Sequence, residues 1–428
     1  MSNAFSSSEK KLSPGGGARP GKGSKAEKKN GWLSRFWQAI RIPFLAIFSG
    51  LLLGAIFIAV TSTTVYVAFG NGFGSGMRAV FTTIGDAYSA LFQGAFGDPG
   101  KIVEAIRNGE KVNRAFKPIF QSLVETTPYL FTGLALALGF RAGVFNIGGE
   151  GQIYIGAVLA TLVGTTDLGL PPFWHMTAAI LLGVAGGAFW GFVPGWLKAN
   201  AGSHEVINTI MMNYIALRLV EFLLTGPMTK TGSGGMPTSN GILESARIPL
   251  VFPRPLTLHW GFFLSIGIAI LAWFLLFKTK WGFNLQIAGA NKHAAKYAGL
   301  NVKVWMVLGM TFSGALAGLC GAVQVLGVTY SMGLGVSAGY GFDAISLALL
   351  ANNNPLACIP AAFLFGFLKN GSRAMMSRTG IPIDIVSIIQ AFILVFIAAP
   401  AIIRTIYRLR GDSKTDSKAV SVSGFGGN

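Results

Sequence analysis

Long apolar runs with almost no charge inside them, recurring from residue 44 almost to the C-terminus, constrain this chain more than any other feature. An apolar run of ~20 residues is long enough to cross a ~30 Å hydrocarbon layer as a helix. The first run covers residues 44–69, and others centre near Gly133, Val158, Gly183, Ile215, Ile268, Gly314, Leu349, Phe365 and Ile393. They predict an all-α polytopic membrane bundle of about ten transmembrane helices in a lipid bilayer. Charged residues make up 12% of the chain, where a soluble domain carries ~25%. Glycine supplies 58 of 428 residues, about twice its usual share, as expected where helices approach through small side chains.

The run at 44–69 is too long for the core of a cleaved signal and is read as a retained first span. Residues 1–42 are basic and rich in Ser, Gly, Lys and Pro, which predicts a mostly disordered tail. Residues 43–405 form one transmembrane domain, and 406–428 a second tail. The basic residues cluster in the first tail, between residues 278 and 303, and from Arg404 onward. Counting spans alternately places those clusters, with Arg141 and Lys198, on the cytoplasmic side, so both termini are expected inside. The net charge of +18 therefore reads as membrane topology, and no nucleic-acid partner is expected. Residues 70–115 read as a long external segment with surface helices, and the loops at 229–255 and 329–337 also fall outside.

A short repeat fits this topology. Gly195-Trp196-Leu197-Lys198 recurs as Gly366-Phe367-Leu368-Lys369, each time followed by an acid, Glu205 or Asp384, that leads an apolar helix. The two copies cross in opposite directions, which predicts an inverted repeat. Gly183, Gly187, Gly191 and Gly195 recur every four residues and mark a helix face where another backbone comes close, a device that Gly314 and Gly318 repeat.

The segment Phe140-Arg141-Ala142-Gly143-Val144-Phe145-Asn146-Ile147-Gly148-Gly149-Glu150-Gly151-Gln152 places polar side chains among glycines between two apolar runs. Irregular backbone at membrane depth survives only where protein buries it or water reaches it. Two readings stand: Glu150 ties the segment to backbone amides or a neighbouring helix, or the segment lines a solute path. Glu125, Glu205, Glu221 and Asp343 also lie at membrane level, with Arg218 within reach of Glu221 on one helix face. Such acids serve as relays in proton-coupled transporters, which leaves a secondary transporter as an alternative. Gly289-Ala290-Asn291-Lys292-His293-Ala294-Ala295-Lys296-Tyr297-Ala298-Gly299 is a helix-forming stretch bounded by glycine, either a solvated cytoplasmic loop or a docking helix. The four histidines lack metal-ligand spacing, and Cys320 and Cys358 sit in apolar runs, where a thiol behaves as a small hydrophobe. No complete Gly-x-x-x-x-Gly-Lys-Ser/Thr stretch occurs, since the nearest approach, at 16–22, continues with Gly23. No catalytic residue, resident cofactor or metal is expected.

Asn146-Ile147-Gly148-Gly149-Glu150-Gly151-Gln152, Glu205-Val206-Ile207-Asn208-Thr209-Ile210-Met211-Met212-Asn213 and the 289–299 stretch together resemble permeases of bacterial nucleoside ABC importers. These permeases are akin to the ribose-type and branched-chain amino-acid permeases, and the resemblance covers roughly residues 116–404. It implies a type II-like importer permease in the bacterial inner membrane, with a solute path between two permease subunits. It further implies three partners: a second related permease, a cytoplasmic ATPase that uses ATP and Mg, and an extracytoplasmic solute-binding lipoprotein or periplasmic protein. By motif, Asn146, Glu150, Gln152 and Asn208 would lie near the path, and Gly289, Asn291, Ala294, Ala295 and Gly299 would contact the ATPase. A sugar such as ribose is the alternative solute.

Overall fold

The computed structural model describes residues 32–109, 111–230, 234 and 236–408. The tails expected at 1–42 and 406–428 lie mostly outside these residues. The chain divides between Arg41 and Ile42, and the smaller unit contributes only the start of the first helix to the described residues.

The helices are α1 (Trp32–Thr61), α2 (Thr63–Gly70), α3 (Phe73–Phe96), α4 (Pro99–Asn108), α5 (Val112–Arg141), α6 (Gly149–Gly164), α7 (Pro172–Ala201) and α8 (Glu205–Thr225). After a long loop come α9 (Gly261–Lys278), α10 (Lys280–Ala290), α11 (Lys292–Tyr297), α12 (Val302–Gln324), α13 (Tyr340–Leu350), α14 (Pro355–Thr379), α15 (Asp384–Ala398) and α16 (Pro400–Ile406). No strand occurs among the described residues, as expected where each backbone polar group must find its partner inside its own segment. Local sequence sets the boundaries. Asn354 caps α14 by accepting from the Leu356 amide at 3.1 Å, ahead of a proline in the first turn, and Asp98 caps α4 in the same way at 3.0 Å.

Each apolar centre read from the sequence falls within a helix, but the helices differ in reach. Among the described residues, six (α1, α5, α7, α8, α9 and α12) are long and apolar enough to cross a bilayer. Helices α3 and α14, of 24 and 25 residues, have the length but carry charged residues. Helices α6, α13 and α15 have 16, 11 and 15 residues, and at 1.5 Å per residue the first two reach only about 24 and 17 Å.

The packing is crossed: α12 lies against α6 and α7, and α5 against α13 and α14. The glycine stripe on α7 makes the first of these contacts. A methyl at Gly187 would overlap the Gly314 carbonyl oxygen, and one at Gly191 would come to 2.5 Å from the Met310 carbonyl oxygen. The two backbones touch there with no side chain between them. Helix α5 is enclosed along its second half, with Tyr129, Leu130, Phe131, Leu134 and Leu136 all buried.

The external segment expected at 70–115 contains a helix that is not superficial. Helix α3 buries Ala87, Ala90, Leu91, Gly94 and Ala95, packs along α14, and receives the Ser122 hydroxyl at the Ala95 carbonyl (2.8 Å). Its charged residues and short apolar patches read as a surface helix because the partner, α14, is remote in sequence.

Candidate functional site

The backbone between α5 and α6 runs without regular structure through the interior and is held by side chains. The Asn146 Nδ2 donates to Gln152 Oε1 (2.9 Å) and to the Ser313 Oγ of α12 (2.8 Å), while its Oδ1 accepts from the Gly148 amide (2.9 Å) and from Gln152 Nε2 (3.2 Å). The Ser313 hydroxyl in turn donates to the Ala135 carbonyl of α5 at 2.6 Å. From α8, the Asn213 Oδ1 accepts from the Gly151 amide (2.8 Å) in the first turn of α6, and its Nδ2 donates to the Ile147 carbonyl (2.9 Å). One of the amides that a helix N-terminus leaves open is thus met by an amide side chain from a neighbour.

Glu150, in the same first turn, reaches across to the other crossing segment. One carboxylate oxygen accepts from the Ser337 hydroxyl and the other from the Gly341 amide at 2.9 Å. Gly341 lies in the first turn of α13, so one carboxylate sits between the N-termini of α6 and α13. A Cβ at Gly341 would come to 2.6 Å from the Glu150 Cα, and only glycine lets the two turns meet so closely.

A second cluster surrounds the start of α13. The Tyr340 hydroxyl donates to Glu125 Oε2 at 2.7 Å, and Arg373 of α14 grips the same carboxylate, its second contact at 3.3 Å. Tyr129 meets the Tyr340 ring edge to face, with centroids 4.9 Å apart, and donates to Asp343 Oδ2 at 2.8 Å. Lys369, one turn before Arg373 on α14, donates to the Ala338 carbonyl at 3.4 Å. Glu125 is buried while the Arg373 side chain is 44% exposed.

Of the residues expected at a solute path, the structure joins Asn146, Gln152 and Glu150 in one neighbourhood and leaves Asn208 apart. Asn208 lies five residues before Asn213, about 140° round the helix, and its Nδ2 donates to Ser203 Oγ at 2.6 Å. The remaining acids are paired: Glu205 with Lys198, and Glu221 with Arg218 at 2.6 Å. Sequence reasoning singled out Glu125 and Asp343 as membrane-level acids but missed Arg373, Tyr340 and Tyr129 as their company, and missed Asn213 as the side chain that holds the backbone at Ile147 and Gly151. The available signal was Lys369 and Arg373 within an otherwise apolar run.

In the 289–299 stretch, Asn291 caps α11 by accepting from the His293 and Ala294 amides, both at 3.0 Å. Asn291, Ala294 and Gly299 are exposed, and Tyr297 is 94% exposed. Ala295 is fully buried, and Gly289 packs backbone to backbone on the turn at 141–143. These two small residues therefore serve the chain's own packing and do not face outward. Arg141 strengthens that seat by donating to the Gln286 side chain (3.1 Å) and the Asn353 carbonyl (2.9 Å) and by lying over the Phe277 ring.

Among the described residues no three His, Cys, Asp or Glu side chains gather as metal ligands. Residues 118–398 match the model of a family described as "Branched-chain amino acid transport system / permease component". The guanosine ABC transporter permease protein NupP of Bacillus subtilis (strain 168) is 37% identical over 85% of this chain and 94% of its own length. The nucleoside ABC transporter permease protein NupB of Lactococcus lactis subsp. cremoris is 30% identical over 85% of this chain and 92% of its own. The glucose ABC transporter permease protein TsgB13 of Haloferax volcanii is 31% identical over 64% of this chain and 74% of its own. No solved structure matches the chain.

Proposed function

Because this chain belongs to the branched-chain amino acid transport system permease component family, we propose that it is the membrane subunit of an ATP-driven importer and that its solute is a nucleoside. The observation that carries this reading is the 37% identity that extends over 94% of a guanosine permease. ATP and Mg act in a separate cytoplasmic ATPase, a related second permease completes the solute path, and an extracytoplasmic lipoprotein or periplasmic protein delivers the solute. The chain spans the bacterial inner membrane about ten times, with both termini in the cytoplasm. The crossed packing, α12 on α6 and α7 and α5 on α13 and α14, supports an inverted repeat in which α5 to α8 correspond to α12 to α15.

Asn291, Ala294 and Gly299 form the outward face that seats the ATPase, with Gly289 and Ala295 holding that face in place from behind. Asn146, Glu150 and Gln152 stand beside the path and fix its shape, since their polar atoms are taken up by neighbours; Asn208 lies nearer the cytoplasmic end. A sugar is the second reading, favoured by the similarity to a glucose permease.

Uptake of labelled guanosine, ribose and glucose, in cells with the complete transporter and in cells lacking this chain, tests the proposal. Loss of guanosine uptake alone, with dependence on ATP, is the expected result. Loss of sugar uptake alone selects the second reading, and accumulation driven by a proton gradient without an ATPase sinks both.

A further inference from the structure

Helix α14 has the length of a membrane span without the composition of one. It starts at Pro355 and runs 25 residues. At 1.5 Å per residue Lys369 lies about 21 Å along it, inside a ~30 Å hydrocarbon layer counted from Pro355, and Arg373 about 27 Å along, close to the far face of that layer. Both are partly or well exposed on this chain. A cation in contact with lipid at that depth is costly, and such residues face protein or water-filled space. On α8, Arg218 lies about 20 Å from the helix start and is paired with Glu221 at 2.6 Å, whereas Lys369 meets no acid among the described residues.

The same face carries unused hydrogen-bonding capacity. Asp343 is partly exposed and accepts from Tyr129 through Oδ2 alone, so its other oxygen meets no donor among the described residues. Lys369 spends one of its three N–H groups on the Ala338 carbonyl, at a long 3.4 Å. Asn146, in contrast, has both amide atoms fully engaged. Cations with free donors and a carboxylate with a free acceptor therefore stand together at the junction of α13 and α14, tied into one cluster through Tyr340, Glu125 and Tyr129.

We propose that Asp343, Lys369 and Arg373 line the solute path. The free Asp343 oxygen accepts from sugar hydroxyls, and the two cations donate to the carbonyl and ring-nitrogen acceptors of a base. This assignment rests on the solute-carrying role proposed above and goes beyond it by naming the face and the three contacts.

Cysteine substitution in the complete transporter tests it. A methanethiosulfonate reacts with the thiolate, which forms where water reaches the sulfur, and the native Cys320 and Cys358 are both buried and give a silent background. Lys369→Cys removes only the long bond to Ala338; Asp343→Cys also unpairs Tyr129, and where it does not accumulate, Lys369→Cys decides alone. With the charged sulfonatoethyl reagent, Lys369→Cys is expected to label at least about tenfold faster than Phe189→Cys on the outer face of α7. Guanosine with its binding protein and ATP is expected to slow that labelling. Absence of labelling at Lys369→Cys, while guanosine uptake by the unmutated transporter is normal, overturns the lining and leaves the function standing. Labelling slowed by glucose and indifferent to guanosine keeps the lining and overturns the nucleoside as solute.

Discussion

Asn146 and Glu150 act as fasteners for irregular backbone, one by saturating four hydrogen-bonding positions and the other by joining two remote turns. Glu150→Gln keeps the shape but turns an –NH2 group toward a donor, leaving a buried amide or hydroxyl without an acceptor at a cost of about 1 to 3 kcal/mol. Glu244 is 92% exposed and meets Arg247 only at 3.7 Å, so Glu244→Gln is expected to be close to neutral. Guanosine uptake at matched expression should fall clearly for the first variant and stay within error for the second; equal uptake by both removes Glu150 from the site. At this scale the sequence carried the chemistry and not the geometry. The glycines around Glu150 left two readings, a carboxylate tied to backbone amides or a neighbouring helix and a segment lining a solute path, and its bond to the Gly341 amide is of the first kind. Nothing local said that the amide belongs to Gly341, or that Arg373 would lie on Glu125, because those partners are brought together only by the crossing of α5 with α13 and α14. Asn208 was grouped with Asn146 by motif, and the turn of α8 separates them.

Among the elements, the α7–α12 contact was the most legible, since a four-residue glycine period is itself a statement about one helix face. Its strength can be probed at Gly187, where a larger side chain must displace backbone that has no room to give. Gly187→Val is expected to cost about 3 kcal/mol or more through forced separation of the helices, seen as a lower thermal midpoint of the detergent-purified protein. Gly267→Val, at a position with open space around it, serves as the control, and equal midpoints for the two would contradict the backbone contact. The half-length helices were less legible. An apolar run centred on Val158 or Leu349 has the same composition in a short helix beside irregular backbone as in a full span, and only hydrogen-bond accounting separates them. Helix α3 was misread for a related reason, because its small residues make sense only against α14.

For the whole molecule, a continuous path of contacts runs from the exposed α11 to the polar interior. Helix α11 follows α10, the Gly289 backbone of α10 rests on the turn at 141–143, and that turn leads directly into Asn146 and Glu150. Ala295 was expected to meet an ATPase together with Gly289, Asn291, Ala294 and Gly299, but it is buried in the chain's own packing, so the outward Ala294 is the proper probe. Ala294→Glu adds bulk and charge to that face while Lys292 and Lys296 keep the loop basic, and topology should survive. Co-purification of the ATPase is expected to fall at normal permease abundance; full retention with unchanged uptake would return this stretch to a solvated loop. The meeting of α6 and α13 has an electrical consequence as well. Each helix N-terminus behaves as roughly half a positive charge, and these two ends with Lys369 and Arg373 offset the carboxylates of Glu150, Glu125 and Asp343 gathered around them, so the junction is close to neutral as a unit. Moving a full charge through the membrane field involves ~2.3 kcal/mol per 100 mV. A junction whose charges cancel can shift without doing that work, so its rearrangement would proceed at much the same rate in an energised cell as in a depolarised one.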